Sequence, residues 1–153
     1  MIAFILAGCG GSGAAKEQWV RVSGNGFRFE APAGWKVLRG PMKTAAVRDS
    51  ELVQVATFAL IKPYTDALFD RVARELTVRM RVVAGQSGGR VSGISEVTVD
   101  GTRSHAYDVS VGDHVDQYTF VLRGKREYQL LCRRKTSSSV DVCRQLRAGF
   151  SSY

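Results

Sequence analysis

Three turn dipeptides constrain this chain more than any other feature. Asp100-Gly101, Gly112-Asp113 and Gly124-Lys125 punctuate the stretch from Ile94 to Lys135 at regular intervals. Each suits a two-residue hairpin loop, Asp-Gly for a type I′ turn and Gly-X for a type II′ turn. The spacing predicts a four-stranded antiparallel meander. Residue 107 then lies opposite 94 on one side and 118 on the other, and 118 lies opposite 131. Alternation along each strand sorts the side chains into two faces. One face carries Val97, Val99, Ala106, Thr119, Val121, Tyr128, Leu130 and Cys132; the other carries Ile94, Tyr107, Val109, Tyr118, Phe120, Leu122 and Leu131.

A meander greasy on both faces needs cover on both. A C-terminal helix bearing Cys143 is expected over the face of Cys132. A longer helix, expected from Pro63 and Thr65 to about Ala84, is expected over the other. Its apolar stripe is Leu68, Val72, Leu76, Met80 and Val83, at helical spacing. Asp70 with Arg74 and Glu75 with Arg79 are expected i,i+4 pairs on its outer side, Gly85 its C-cap, and residues 86–93 a mobile loop. Leu52–Ile61 is apolar on both faces and reads as another strand covered on two sides. Candidate strands at Trp35–Leu38 and Thr44–Arg48 flank a turn at Gly40-Pro41, and Trp19–Ser23 alternates as a short first strand.

Phe27 and Phe29 share one strand face, Pro32 and Gly34 set a turn, and Trp35 begins the next strand. The run Gly26-Phe27-Arg28-Phe29-Glu30-Ala31-Pro32-Ala33-Gly34-Trp35 resembles the opening of the PsbP-like family. That fold is shared by the photosystem II extrinsic protein and many bacterial lipoproteins of unknown role. The resemblance continues through Val99-Asp100-Gly101, Tyr128-Gln129-Leu130-Leu131-Cys132 and a closing helix ending at Phe150. It implies an α+β fold, a three-layer α/β/α sandwich around an antiparallel sheet. It carries no function, because members of the family do unrelated things.

The N-terminus reads as a lipidation signal. Ile2–Ala7 is apolar, and Leu6-Ala7-Gly8-Cys9 precedes Gly10-Gly11-Ser12-Gly13, like a bacterial lipobox in which Cys9 receives lipid. Residues 1–8 are then a signal-peptide remnant, residues 9–18 a flexible tether, and residues 19–153 one domain. With Cys9 acylated, Cys132 and Cys143 are an even pair in an oxidising compartment, which reads as a disulfide. The expected location is the bacterial cell envelope, on the extracytoplasmic side of a membrane.

No P-loop, dinucleotide-binding glycine pattern, nucleophile elbow or zinc motif is present, and two His leave little material for a triad or a metal site. No cofactor is expected. Polar groups do gather on the second meander face. Glu96, His105, Phe120 and Gln129 form one cross-strand row; Thr98, Arg103, Leu122 and Glu127 form the next. Glu96, Arg103, His105, Glu127 and Gln129 are therefore the candidate ligand-binding residues, or else the end of the face left wet by the helix. Leu122 between Arg103 and Glu127 argues against an ion pair there and leaves both charges for water or a ligand.

The net charge of +8 favours anionic partners. Arg123, Lys125 and Arg126 lie at one hairpin tip and Arg133, Arg134 and Lys135 about 26 Å away along the strand. Two separated groups argue against nucleic acid. The resulting expectation is a non-catalytic, membrane-tethered binding or accessory module with a protein or an anionic envelope polymer as partner. The alternatives are an enzyme using Glu96, His105 and Arg103, and a structural protein holding anionic wall or membrane components.

Overall fold

Turn chemistry governs the sheet that forms. A computed structural model of the chain describes residues 16–153; Cys9, the signal remnant and most of the tether lie outside the described residues. In chain order the elements are β1 (Trp19–Gly24), β2 (Phe27–Pro32), β3 (Lys36–Arg39), β4 (Lys43–Arg48), β5 (Glu51–Tyr64), α1 (Phe69–Gln86), β6 (Arg90–Val99), β7 (Thr102–Val111), β8 (His114–Lys135), α2 (Asp141–Ala148) and β9 (Ser151–Ser152).

Asp100 and Gly101 both take positive φ, 49° and 70°, the type I′ signature, and Val99 pairs with Thr102 across them. Gly112, at φ 58°, closes the β7–β8 hairpin with Val111 opposite His114. The long β8 doubles back at Gly124, where φ is 55°. A straight 22-residue strand would run about 70 Å. Instead its two ends touch: the Thr136 amide donates to the Asp113 carbonyl at 2.7 Å, and Arg133 bonds both oxygens of Asp116 at 2.7 Å. Both contacts lie on the register that sets 118 opposite 131. The first arm of β8 pairs with β7 and the second with β5.

The large sheet has the order β3-β4-β5-β8-β7-β6, antiparallel throughout. A second small sheet, β1-β2-β9, was not expected from the sequence. It holds the aromatic opening motif: Phe27 and Phe29 are buried in one core with Val22, Val55, Val121, Tyr128, Leu130 and, from α2, Leu146. Burying each such side chain contributes roughly 1.5–3 kcal/mol. On β7 and β8 the alternate side chains Tyr107, Val109, Phe120 and Leu122 form a separate core with Leu76, Met80 and Ala84 of α1. The Tyr107 hydroxyl, buried beneath α1, finds the Thr77 hydroxyl at 3.1 Å and the Ala73 carbonyl at 3.2 Å.

Several boundaries differ from expectation, each for a local reason. Pro63 lies within β5, which runs on to Tyr64, rather than starting a helix. The β5–β8 register breaks between Ala59 and Tyr64, so no ladder bond is asked of the proline there. A single 3-10 turn, Asp66–Leu68, then leads into α1. Ile61, placed by alternation on a buried face, is 97% exposed, because the same irregularity turns it outward. Gly88 rather than Gly85 closes α1: it takes φ 71°, its amide bonds the Gly85 carbonyl, and the Gly89 amide bonds the Ala84 carbonyl, a Schellman ending. The expected mobile loop at 86–93 shrinks to Ser87–Gly89, since β6 already begins at Arg90. Ile94 is 55% exposed because β6 is an edge strand. On α1 the i,i+4 pair formed is Arg71 with Glu75, while Arg79 turns toward the sheet.

Cys132 on β8 and Cys143 on α2 form a disulfide, with Cα atoms 5.3 Å apart and a sequence separation of 11. A loop of this size stabilises the fold by roughly 3 kcal/mol in the chain-entropy treatment. The purified domain should show an intact mass two protons below its all-thiol value. Replacing both cysteines by Ala should lower the urea-unfolding free energy by about that amount. Two free thiols on protein isolated from an oxidising compartment would contradict the assignment.

Candidate functional site

The polar row assembles, but its members are engaged with one another and with α1. Glu96 on β6 faces His105 on β7, which faces Phe120 on β8, as the turn register requires. Arg103, two residues before His105, sits diagonal to Glu96 and grips it with two bonds, Nε to Oε1 at 2.5 Å and Nη2 to Oε2 at 3.0 Å. Its guanidinium also lies 3.7 Å from the ring centroid of Phe69, the first residue of α1. This pairing holds the Glu96 carboxyl below its ordinary pKa and raises Arg103 above its own.

His105 is only 6% exposed and stacks against Phe69 with ring centroids 3.9 Å apart. Burial pushes its imidazole below the ordinary value; a hydrogen bond to the Phe69 backbone and the charges of Glu96 and Asp70 pull upward without prevailing, and Arg103 adds a small downward push. Its Nε2 is buried with no partner among the described residues. A neutral ring with an idle acceptor nitrogen is what such a niche favours.

The second half of the row is a separate group. Glu127 is 7% exposed and takes a 2.7 Å bond from the Gln129 amide. Arg79 approaches the same carboxyl at 3.7 Å from α1 while lying over Phe120 at 5.4 Å. Arg103 and Glu127 do not pair, as the intervening Leu122 suggested. Neither charge is left without a partner, however, which the sequence did not reveal: Glu96 takes one and Arg79 with Gln129 the other. The unforeseen participants are Phe69 and Arg79. Phe69 was legible in principle, since it lies seven residues before Leu76 on the stripe.

An open cleft of about 400 Å³ adjoins the row at the turn end of the sheet. Arg103, Tyr64, Thr65, Asp66, Thr102 and Arg123 contribute to its walls. Arg123 is fixed there by Asp100 at 2.9 Å, Ser152 at 2.6 Å and Thr102 at 2.6 Å. Burial and the nearby Asp66 raise the Tyr64 phenol above its usual pKa, so it stays protonated at neutral pH and can donate. Among the described residues no cluster of three or more His, Cys, Asp or Glu is placed to hold a metal ion.

Comparison with solved structures matches this architecture. The solution structure of cyanobacterial PsbP from Synechocystis superposes with a TM-score of 0.64 at 16% identity, covering 97% of this chain and 99% of that one. The fold is PsbP-like. A crystal structure of a protein from Bacteroides thetaiotaomicron also matches, with a TM-score of 0.57 at 10% identity over 84% of this chain. The chain spans 45% of that longer protein. No family model matches, and no curated protein matches in sequence. At these identities the PsbP-like likeness is one of fold and carries no activity.

His105 and Arg103 should behave differently on substitution. His105→Ala removes a buried, stacked ring and should cost roughly 2 kcal/mol, with a clear fall in Tm. Arg103→Ala removes an exposed pair and should leave Tm nearly unchanged. Because the folded pKa of His105 lies below the unfolded value, its contribution is complete above about pH 6.5 and is lost as pH falls below that toward the folded pKa. Stability measured from pH 8 down to pH 5 should therefore sag below about 6.5, and the sag should vanish in His105→Phe. Equal Tm values for His105→Ala and the parent would remove His105 from the core.

Proposed function

We propose that this chain is a non-catalytic binding or accessory module of a bacterial cell envelope, held on the extracytoplasmic side of a membrane by a lipid on Cys9. One observation carries the preference for binding over catalysis. Every charged member of the polar row is already committed to another side chain, and the one histidine in it is buried beneath Phe69. A general base must reach a substrate proton, and His105 is not presented to do so. The enzyme reading would need the row to open.

The large sheet, with α1 and α2 drawing on alternate side chains of β8, is read here as a three-layer α/β/α sandwich. Any small ligand is assigned to the cleft beside Arg103, where Tyr64 and Thr102 offer donors next to the row. The larger part of the binding is electrostatic: 22 basic residues against 14 acidic ones give +8, which favours an anionic component of the envelope. Nucleic acid is not the expected partner.

Two measurements test this reading. In membranes washed at high salt to strip electrostatic adhesion, Cys9→Ser should move the protein from the membrane fraction to the soluble one, since the two acyl chains of a diacylglyceryl group suffice for stable attachment; unchanged fractionation after that wash would remove the anchor. Binding to anionic vesicles or isolated wall polymer should weaken steeply as salt rises past physiological strength, where exposed charges are screened over about 8 Å. Salt-independent binding would instead point to a shaped pocket and to the cleft.

A further inference from the structure

The β5 irregularity places an apolar side chain among unpaired cations. Ala59 pairs with Arg126 and Tyr64 pairs with Gly124, so the four residues 60–63 of β5 face Lys125 alone. The surplus chain is pushed outward beside the β8 turn. Ile61 rides on it at 97% exposure, far above any other large apolar side chain among the described residues, the next being Tyr153 at 74%. Lys62 follows, Lys125 lies opposite the bulge on β8, and Arg126 lies opposite Ala59 at its edge; all three are exposed. None of these three has a carboxylate within ion-pair reach among the described residues, in contrast to Arg123 nearby, which Asp100 holds. At the far end of β8 two of the three basic side chains are engaged: Arg133 is bound by Asp116, and Arg134 reaches the Lys135 and Ser138 carbonyls.

We propose that this tip is a contact site for an anionic phospholipid surface, with Ile61 entering the headgroup region and Lys62, Lys125 and Arg126 meeting the phosphates. The proposal deepens the reading of an anionic envelope partner and rests on it. A bulge that re-aims one side chain is a recurrent device at sheet rims. A lone isoleucine on a convex tip gains nothing from a soluble polyanion, which offers no apolar phase. Nor can it anchor a protein interface, which needs about 800 Å² a side around a buried centre. A bilayer offers apolar and anionic layers at the right depths, and each cation near such a surface is worth roughly fivefold in affinity.

The test uses the unlipidated Cys9→Ser chain and co-sedimentation with vesicles, either phosphatidylcholine alone or with one third phosphatidylglycerol. The parent should bind the anionic vesicles and not the neutral ones. Ile61→Ser should weaken that binding by roughly three- to tenfold. Replacing Lys62, Lys125 and Arg126 together by Gln should weaken it by about 100-fold, with Tm unchanged in both variants. Parent-like binding by either variant would overturn the proposal, as would absence of parent binding to any vesicle. Binding to a soluble polyphosphate that is indifferent to Ile61→Ser, with no vesicle binding, would assign the tip to a polymer instead. Fractionation of the Cys9 parent after a high-salt wash, which screens the tip's charges but leaves an acyl anchor in place, reports on the anchor alone, so failure of the tip and failure of the tether are separately visible.

Discussion

The fold depends on β8 turning back upon itself at Gly124-Lys125. That reversal places Asp116 against Arg133 and puts the two arms side by side in the middle of the large sheet. Because side chains alternate, the same strand feeds both cores: Val121, Tyr128 and Leu130 pack with α2 and the small sheet, while Phe120 and Leu122 pack with α1. A slip of one residue would exchange the two sets, so the turn dipeptide is as consequential as any buried side chain. The disulfide adds a covalent limit on how far α2 can move from the second arm. Position 124 is therefore a poor place for a side chain, since its φ of 55° suits glycine.

The same reversal explains why the polar row is quiet. It draws Glu127 and Gln129 alongside Phe120, while the β6–β7 turn draws Glu96 alongside Arg103 and His105. Burying such groups costs free energy unless partners are found. α1 provides them with Phe69 at its start and Arg79 ten residues on. What the sheet alone would present as a candidate site is engaged: the helix covers His105 and Glu127, while Glu96 and Arg103 pair with each other at the exposed edge. The groups that keep their freedom lie where the layer ends, at the cleft beside Arg103 and at the tip around Ile61.

The turns, strand faces and disulfide were readable from sequence because each rests on local chemistry: Asp-Gly and Gly-X dipeptides, two-residue alternation, and an even pair of cysteines. The PsbP-like opening motif was readable from its spacing of Phe27, Phe29, Pro32, Gly34 and Trp35. Its placement in a separate three-stranded sheet was not, because the two-residue β9 carries too little pattern to declare itself. The β5 bulge was hidden for a related reason. Alternation has no way to count an unpaired residue, so Ile61 was assigned to the interior and Pro63 to a helix start. The partners of Arg103 and Glu127 were illegible because they come from sequence-distant positions or from a diagonal, and the row was read straight across the strands.

The central claim is that the row is built into the protein rather than offered to a substrate, and the His105 imidazole reports on it directly. Its titration can be followed by NMR in the folded, disulfide-bonded chain, with the His105→Phe variant fixing the assignment. A ring buried under Phe69 should titrate below the ordinary 6.5, with the Phe69 signals responding in parallel. A His105 that titrates at or above that value, with no response from Phe69, would mean that the row is open to solvent and would return it to the list of reactive sites.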